Sequence, residues 1–116
     1  MSSVMLYGIK NCETVKKARK WLEVNSVPYA FHDFRIDGID KALVNHFLKQ
    51  IDVEILINKR GTTWRKLSNE EKEITNKTQA ILLMIENPAI IKRPVLDANK
   101  KIAIGFSDKS YRAIKF

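Results

Sequence analysis

Among the side chains able to act as nucleophiles, Cys12 stands apart as the single cysteine of 116 residues. It follows a short apolar run and opens a helical pattern. A helix start offers partial positive charge and unpaired N–H groups. Both favour a thiolate over a thiol, and the thiolate is the reactive form. At an ordinary pKa of about 8.5, about 3% of a thiol is ionised at pH 7, and a drop of about two units makes the thiolate dominant. Lys10, Lys16, Lys17 and Arg19 bring positive charge nearby in sequence, and Glu13 opposes them. A free cysteine is more often a small buried hydrophobe. The polar stretch Lys10-Asn11-Cys12-Glu13-Thr14 speaks against burial here. One cysteine cannot form an intramolecular disulfide, so a thiol cycle at Cys12 needs an external thiol to finish it.

Other candidates are less sharply defined. Lys92-Arg93-Pro94 lies between apolar Ile90-Ile91 and a strand pattern. Arg93 has the fork geometry to clamp an oxyanion or carboxylate, or it is a solvated surface arginine. Lys59, Arg60, Arg65 and Lys66 surround Gly61-Thr62-Thr63-Trp64. Basic residues around an aromatic suit an anionic small molecule or a single nucleic-acid strand, although such a run is most often a solvated loop. His32 and His46 have no metal-ligand spacing with Cys12, and no metal site is expected. Phosphate loops, dinucleotide turns and serine-nucleophile elbows are absent.

The elements that must carry these residues follow from patterning. Val4-Met5-Leu6-Tyr7 reads as a buried first strand. Asn11 is the expected N-cap of a helix whose buried face is Val15, Ala18 and Leu22, ending near Asn25-Ser26 before Pro28. Tyr29 to Phe34 is a second strand, followed by a turn at Asp37-Gly38. Strand, helix and strand at this spacing predict a right-handed parallel crossover. Asp40 caps an amphipathic helix to Ile51, and Val53 to Ile57 reads as a short helical turn. Asn58 to Lys66 reads as a loop. Ser68 and Glu71 form a capping-box signature, and Thr78 to Ile85 is an apolar stretch ended by Asn87-Pro88. Val95 to Asp97 and Lys101 to Ile104 are strands of a hairpin turning at Asn99-Lys100. Ser107 or Asp108 caps a last helix running to Phe116. The order is β-α-β, a helical stretch, then β-β-α: an α/β chain with a mixed sheet of about four strands.

Hydrophobic residues make up 45% and charged residues 29%, with four glycines and three prolines, which are globular values. The single cysteine excludes a disulfide-stapled fold. The start of the chain lacks a signal-peptide pattern, and the longest apolar run, Ala80 to Ile85, is too short to span a bilayer. A cytoplasmic location without membrane association is expected. Lys and Arg number 21 against 13 Asp and Glu, a net charge of +8. That charge suits nucleic acid, an anionic surface or a small acidic substrate, and composition alone does not choose among them.

Tyr7-Gly8-Ile9-Lys10-Asn11-Cys12, Arg60-Gly61-Thr62-Thr63-Trp64-Arg65-Lys66-Leu67, Ile90-Ile91-Lys92-Arg93-Pro94 and Gly105-Phe106-Ser107 together resemble the arsenate reductase family. The resemblance is closest to its Spx and YffB-type branch and covers essentially the whole chain. It implies one thioredoxin-like domain over residues 1–116, with a helical insertion at about 40–90. It also implies catalysis by Cys12, an arginine at Arg93 and a cis peptide bond to Pro94. Glutathione-linked arsenate reductases use two further arginines. By alignment one falls near Asn58, with Arg60 two positions away, and the other falls at Phe106, which cannot bind an anion. The expected activity is a glutathione-dependent monothiol reductase acting on a disulfide or other oxidised substrate rather than on arsenate. Lys10, Asn11, Arg60, Arg93 and Pro94 are the expected substrate or glutathione contacts. Glutathione is a co-substrate in this reading, a glutaredoxin-type protein is an alternative thiol donor, and no tightly bound cofactor is expected. The alternative is a non-enzymatic Spx-like adaptor that binds RNA polymerase or another protein. Nucleic-acid binding through the Trp64 loop is the weakest of these expectations.

Overall fold

The computed structural model describes residues 3–116. Its strands are β1 (Val4–Gly8), β2 (Ala30–Asp33), β3 (Val95–Ala98) and β4 (Lys101–Ile104). They form one mixed sheet in the order β2-β1-β3-β4. β1 runs parallel to β2 and antiparallel to β3, and β3 is antiparallel to β4. Helix α1 (Glu13–Val24) makes the parallel crossover between β1 and β2. The hairpin turns at Asn99 and Lys100, whose φ values of 53° and 73° are those of a two-residue turn matched to the strand twist. Helix α7 (Asp108–Arg112) closes the chain. It begins at the expected Ser107 cap but stops at Arg112 rather than running to Phe116.

The chain forms two compact units. The sheet unit comprises the residues up to Gly38 and Arg93–Phe116, and the helical unit comprises Ile39–Lys92. In the sheet unit, Val4 and Leu6 of β1, Ala18 and Leu22 of α1, Leu96 and Ala98 of β3, and Tyr111 of α7 make one buried cluster. The buried face of α1 is Val15, Ala18 and Leu22, as its helical spacing predicts. Removing a leucine-sized side chain from water contributes about 1.5–3 kcal/mol. Leu6, Leu22 and Leu96, all fully buried, therefore carry much of this unit's stability.

Gly8 ends β1 where α1 comes closest. A Cβ placed there would lie 2.8 Å from Val15 Cγ2, and Val15 is itself buried and branched. Gly8→Ala is therefore expected to destabilise the protein by about 1–3 kcal/mol, the usual range for overpacking. Chemical denaturation measures this, and an unchanged midpoint would mean that α1 shifts freely.

The helical unit contains α2 (Lys41–Leu48), α3 (Val53–Leu56), α4 (Thr62–Arg65), α5 (Asn69–Lys72), α6 (Lys77–Glu86) and a 3₁₀ turn at Pro88–Ile90. The Asp40 side chain accepts from the Leu43 amide at 2.8 Å, and Ser68 and Glu71 form the expected capping box. Backbone bonds from Asn58 N to Ile90 O and from Lys92 N to Leu56 O, both 2.7 Å, tie the segment that follows α3 to the end of the unit. The reading of residues 58–66 as a loop is corrected here. Thr62–Arg65 is a helical turn, and Trp64 within it is only 8% exposed. The Lys59 ammonium lies 5.6 Å from the Trp64 ring centroid and pairs with Glu54 at 2.8 Å. A buried indole cannot stack on bases, which removes the Trp64 loop as a nucleic-acid platform.

Candidate active site

The sheet register brings the site together. Tyr7 of β1 pairs with Val95 of β3, so the chain leaving β1 toward Cys12 emerges beside the chain entering β3 from Arg93-Pro94. The Arg93–Pro94 peptide bond is cis, and the Pro94 carbonyl accepts from the Gly105 amide at 2.8 Å. Pro94 is buried, while Arg93 is half-buried, and its guanidinium faces Cys12.

Cys12, not Asn11, is the N-cap of α1, with extended backbone angles (φ −128°, ψ 123°). Sulfur is a weak acceptor and is seldom favoured at this position, whereas asparagine is among the best caps; the sequence pattern therefore points one residue early. As a neutral thiol the side chain makes no capping hydrogen bond, and the donor amides of the first turn favour its thiolate form instead. It is half-buried, and that burial by itself pushes its pKa up. Against burial act the Val15 amide, the hydrogen bond and charge of Arg93, and the Thr14 amide, and together they hold the thiol below its ordinary value. Arg93 is the cation that acts on the sulfur. Lys16 instead pairs with Glu13 at 3.4 Å, and Arg19 donates to the Tyr29 hydroxyl at 3.1 Å and lies 4.3 Å from the Phe31 ring centroid.

Lys10 and Asn11 are exposed on the turn before Cys12. The Lys10 amide donates to Asp33 Oδ2 at 2.9 Å. Asp33 is 4% exposed, the one charged residue in the buried set among the described residues. Burial raises its pKa, but the amides of Arg35, Lys10 and Ile36, together with the Arg35 charge, outweigh burial and hold the carboxyl below the usual range. The stability it supplies is present above about pH 4, the ordinary carboxylate range, and is lost as pH falls through the lower folded-state value. Nothing local in the sequence marks Asp33, because its partner Lys10 is 23 positions away.

Arg60 belongs to the helical unit, where it is exposed and its amide donates to Asn58 Oδ1 at 3.1 Å. Phe106 packs edge-on against Tyr111, with ring centroids 4.7 Å apart. His32 contacts the Gly38 carbonyl at 2.7 Å through Nε2, and His46 lies 6.1 Å from the Phe47 ring. Among the described residues no helix is long and apolar enough to cross a membrane.

A mixed four-stranded sheet with a cysteine capping the helix after β1, and an arginine–cis-proline pair entering β3, defines a thioredoxin-like protein with a single thiol at its site. Within that class the chain belongs to the ArsC family, which it matches over residues 7–114. It is 44% identical over 110 residues to an uncharacterized protein of Haemophilus influenzae, covering 95% of this chain and 96% of that one. It is 28% identical to the global transcriptional regulator Spx 2 of Lactococcus lactis, covering 95% of this chain and 84% of the relative. A solved structure of a YFFB protein superposes with a TM-score of 0.90 at 40% identity, covering 96% of this chain and 97% of that one.

Proposed function

We propose that this protein is a glutathione-dependent monothiol reductase with Cys12 as its nucleophile. The observation that carries this reading is the half-exposed Cys12 sulfur at the start of α1, served by the Thr14 and Val15 amides and by Arg93. The Cys12 thiolate attacks one sulfur of a disulfide. A bond forms between the two sulfurs, the original disulfide bond breaks, and the leaving thiolate takes a proton from solvent. Glutathione then attacks the mixed disulfide at the Cys12 sulfur, releasing the second substrate thiol and leaving glutathione on Cys12, and a second glutathione attacks that disulfide, releasing oxidised glutathione and the Cys12 thiolate. In net terms the substrate disulfide gains two electrons and two protons, and two glutathiones become one oxidised glutathione. With bound glutathione, Arg93 would clamp a carboxylate, with Lys10, Asn11 and the Pro94 backbone as further contacts.

Mass spectrometry after incubation with oxidised glutathione tests this reading. One adduct, at Cys12 and removed by excess reduced glutathione, is expected; an unmodified protein would refute the reading.

Arsenate is not the proposed substrate. Phe106 presents a ring packed on Tyr111 where the arsenate reductase pattern has an arginine. Losing a charge-assisted contact of about 1.5–3 kcal/mol lowers turnover on the order of tenfold to a hundredfold. Arsenate reduction with glutathione and glutaredoxin is therefore expected to be weak or undetectable, and turnover that Cys12→Ser abolishes at a rate suited to a dedicated arsenate reductase would contradict this.

The likeness to proteins named as Spx transcriptional regulators favours a second reading, an adaptor that binds RNA polymerase. An adaptor has no need of an activated thiol, so the pH dependence of Cys12 reactivity separates the two readings.

A further inference from the structure

We infer that Asp33 is the positioning residue of this site: its carboxylate fixes the Lys10–Asn11 turn and so sets where Cys12 meets the start of α1. The inference rests on the thiol reading above and adds a residue on a different strand.

Asp33 ends β2, the edge strand next to β1. Its two carboxylate oxygens accept from two different segments of the chain. Oδ1 accepts from the Arg35 amide at 2.8 Å and turns its own chain, while Oδ2 accepts from the Lys10 amide at 2.9 Å and holds the chain leaving β1. The backbone that carries this carboxylate is itself held. The Asp33 amide donates to Asp37 Oδ2 at 2.9 Å, the Asp37 amide donates to the Asp33 carbonyl at 2.7 Å, and the Phe34 amide donates to the Gly8 carbonyl at 2.8 Å. Lys10 is two residues from Cys12, and Gly8 is the residue against which Val15 packs. The clamp therefore acts on the same short segment that places the sulfur before the Thr14 and Val15 amides.

The sign of the effect makes this role separable from electrostatics. Asp33 is an anion, so removing its charge, taken alone, favours a nearby thiolate and speeds alkylation at pH 7. Removing the clamp loosens the turn, takes the sulfur out of register with its donors and slows alkylation. A carboxylate that merely stabilises the fold leaves the thiol's pH profile where it was.

The experiment is iodoacetamide alkylation of Cys12 across pH, with amide hydrogen exchange at Lys10, for the parent, Asp33→Asn and Asp37→Asn. Asp37→Asn disturbs the same turn without touching the Lys10 contact, and Asp33→Glu replaces Asp33→Asn if the latter does not fold. The expected result for Asp33→Asn is a twofold to fivefold slower alkylation at pH 7 and faster Lys10 exchange, with Asp37→Asn close to the parent. Unchanged or faster alkylation in Asp33→Asn, beside a parent whose profile is shifted from free cysteine, overturns the positioning role alone. A parent profile matching free cysteine overturns the thiol reading and the inference with it.

Discussion

Cys12→Ser is expected to abolish both the glutathione adduct and iodoacetamide labelling, and to leave the melting temperature close to that of the parent. The loss of chemistry is complete because the chain has no second thiol and a serine hydroxyl is not ionised near neutral pH. The stability result follows from the cap. As a neutral thiol, Cys12 occupies the N-cap of α1 without making a capping hydrogen bond. Serine is among the preferred N-caps, and a good cap contributes about 0.5–2 kcal/mol. Losing the thiolate costs about 0.3–1 kcal/mol of favourable interaction with the helix terminus and about 1 kcal/mol with Arg93. The two effects nearly cancel. A drop of several degrees in the melting temperature, read by circular dichroism, would mean that the thiol has a structural role that its half-exposed position does not suggest.

Arg93→Ala is expected to slow alkylation at pH 7 about fivefold while leaving the high-pH plateau unchanged. A charge-assisted hydrogen bond is worth about 1.5–3 kcal/mol when shielded, and solvent at a half-exposed site screens it toward about 1 kcal/mol, which is about fivefold. The sign is fixed. Arg93 favours the thiolate, so its removal raises the thiol pKa, and the reactive fraction at neutral pH falls. Once the thiol is fully ionised the two proteins react alike. Arg93→Lys should lie between them, since an ammonium keeps the charge without the guanidinium fork. Coincident curves for parent and Arg93→Ala would leave Arg93 with no part in thiolate stabilisation.

The parts of this arrangement that were legible in the sequence are those written in local patterns. Val15, Ala18 and Leu22 recur at helical spacing and line the buried face of α1. Asn99 and Lys100 adopt the positive φ of the expected hairpin turn, and Ser68 with Glu71 closes the capping box. The proximity of Arg93 to Cys12, about eighty positions apart, was legible only through the family resemblance, because β-sheet register rather than local pattern creates it. The helical turn at Thr62–Arg65 was hidden by its polar, glycine-preceded sequence; what holds it is the burial of Trp64, which local polarity does not report. Asp33 was hidden for the same reason, as a lone acid on an aromatic-rich strand whose meaning depends on the amide of Lys10.

The central claim, an activated thiol at Cys12, is tested most directly by the pH dependence of iodoacetamide alkylation of the parent protein. A single titration is expected, with a midpoint clearly below the value of about 8.5 for free cysteine. A midpoint at or above that value would contradict it and leave Cys12 an ordinary thiol.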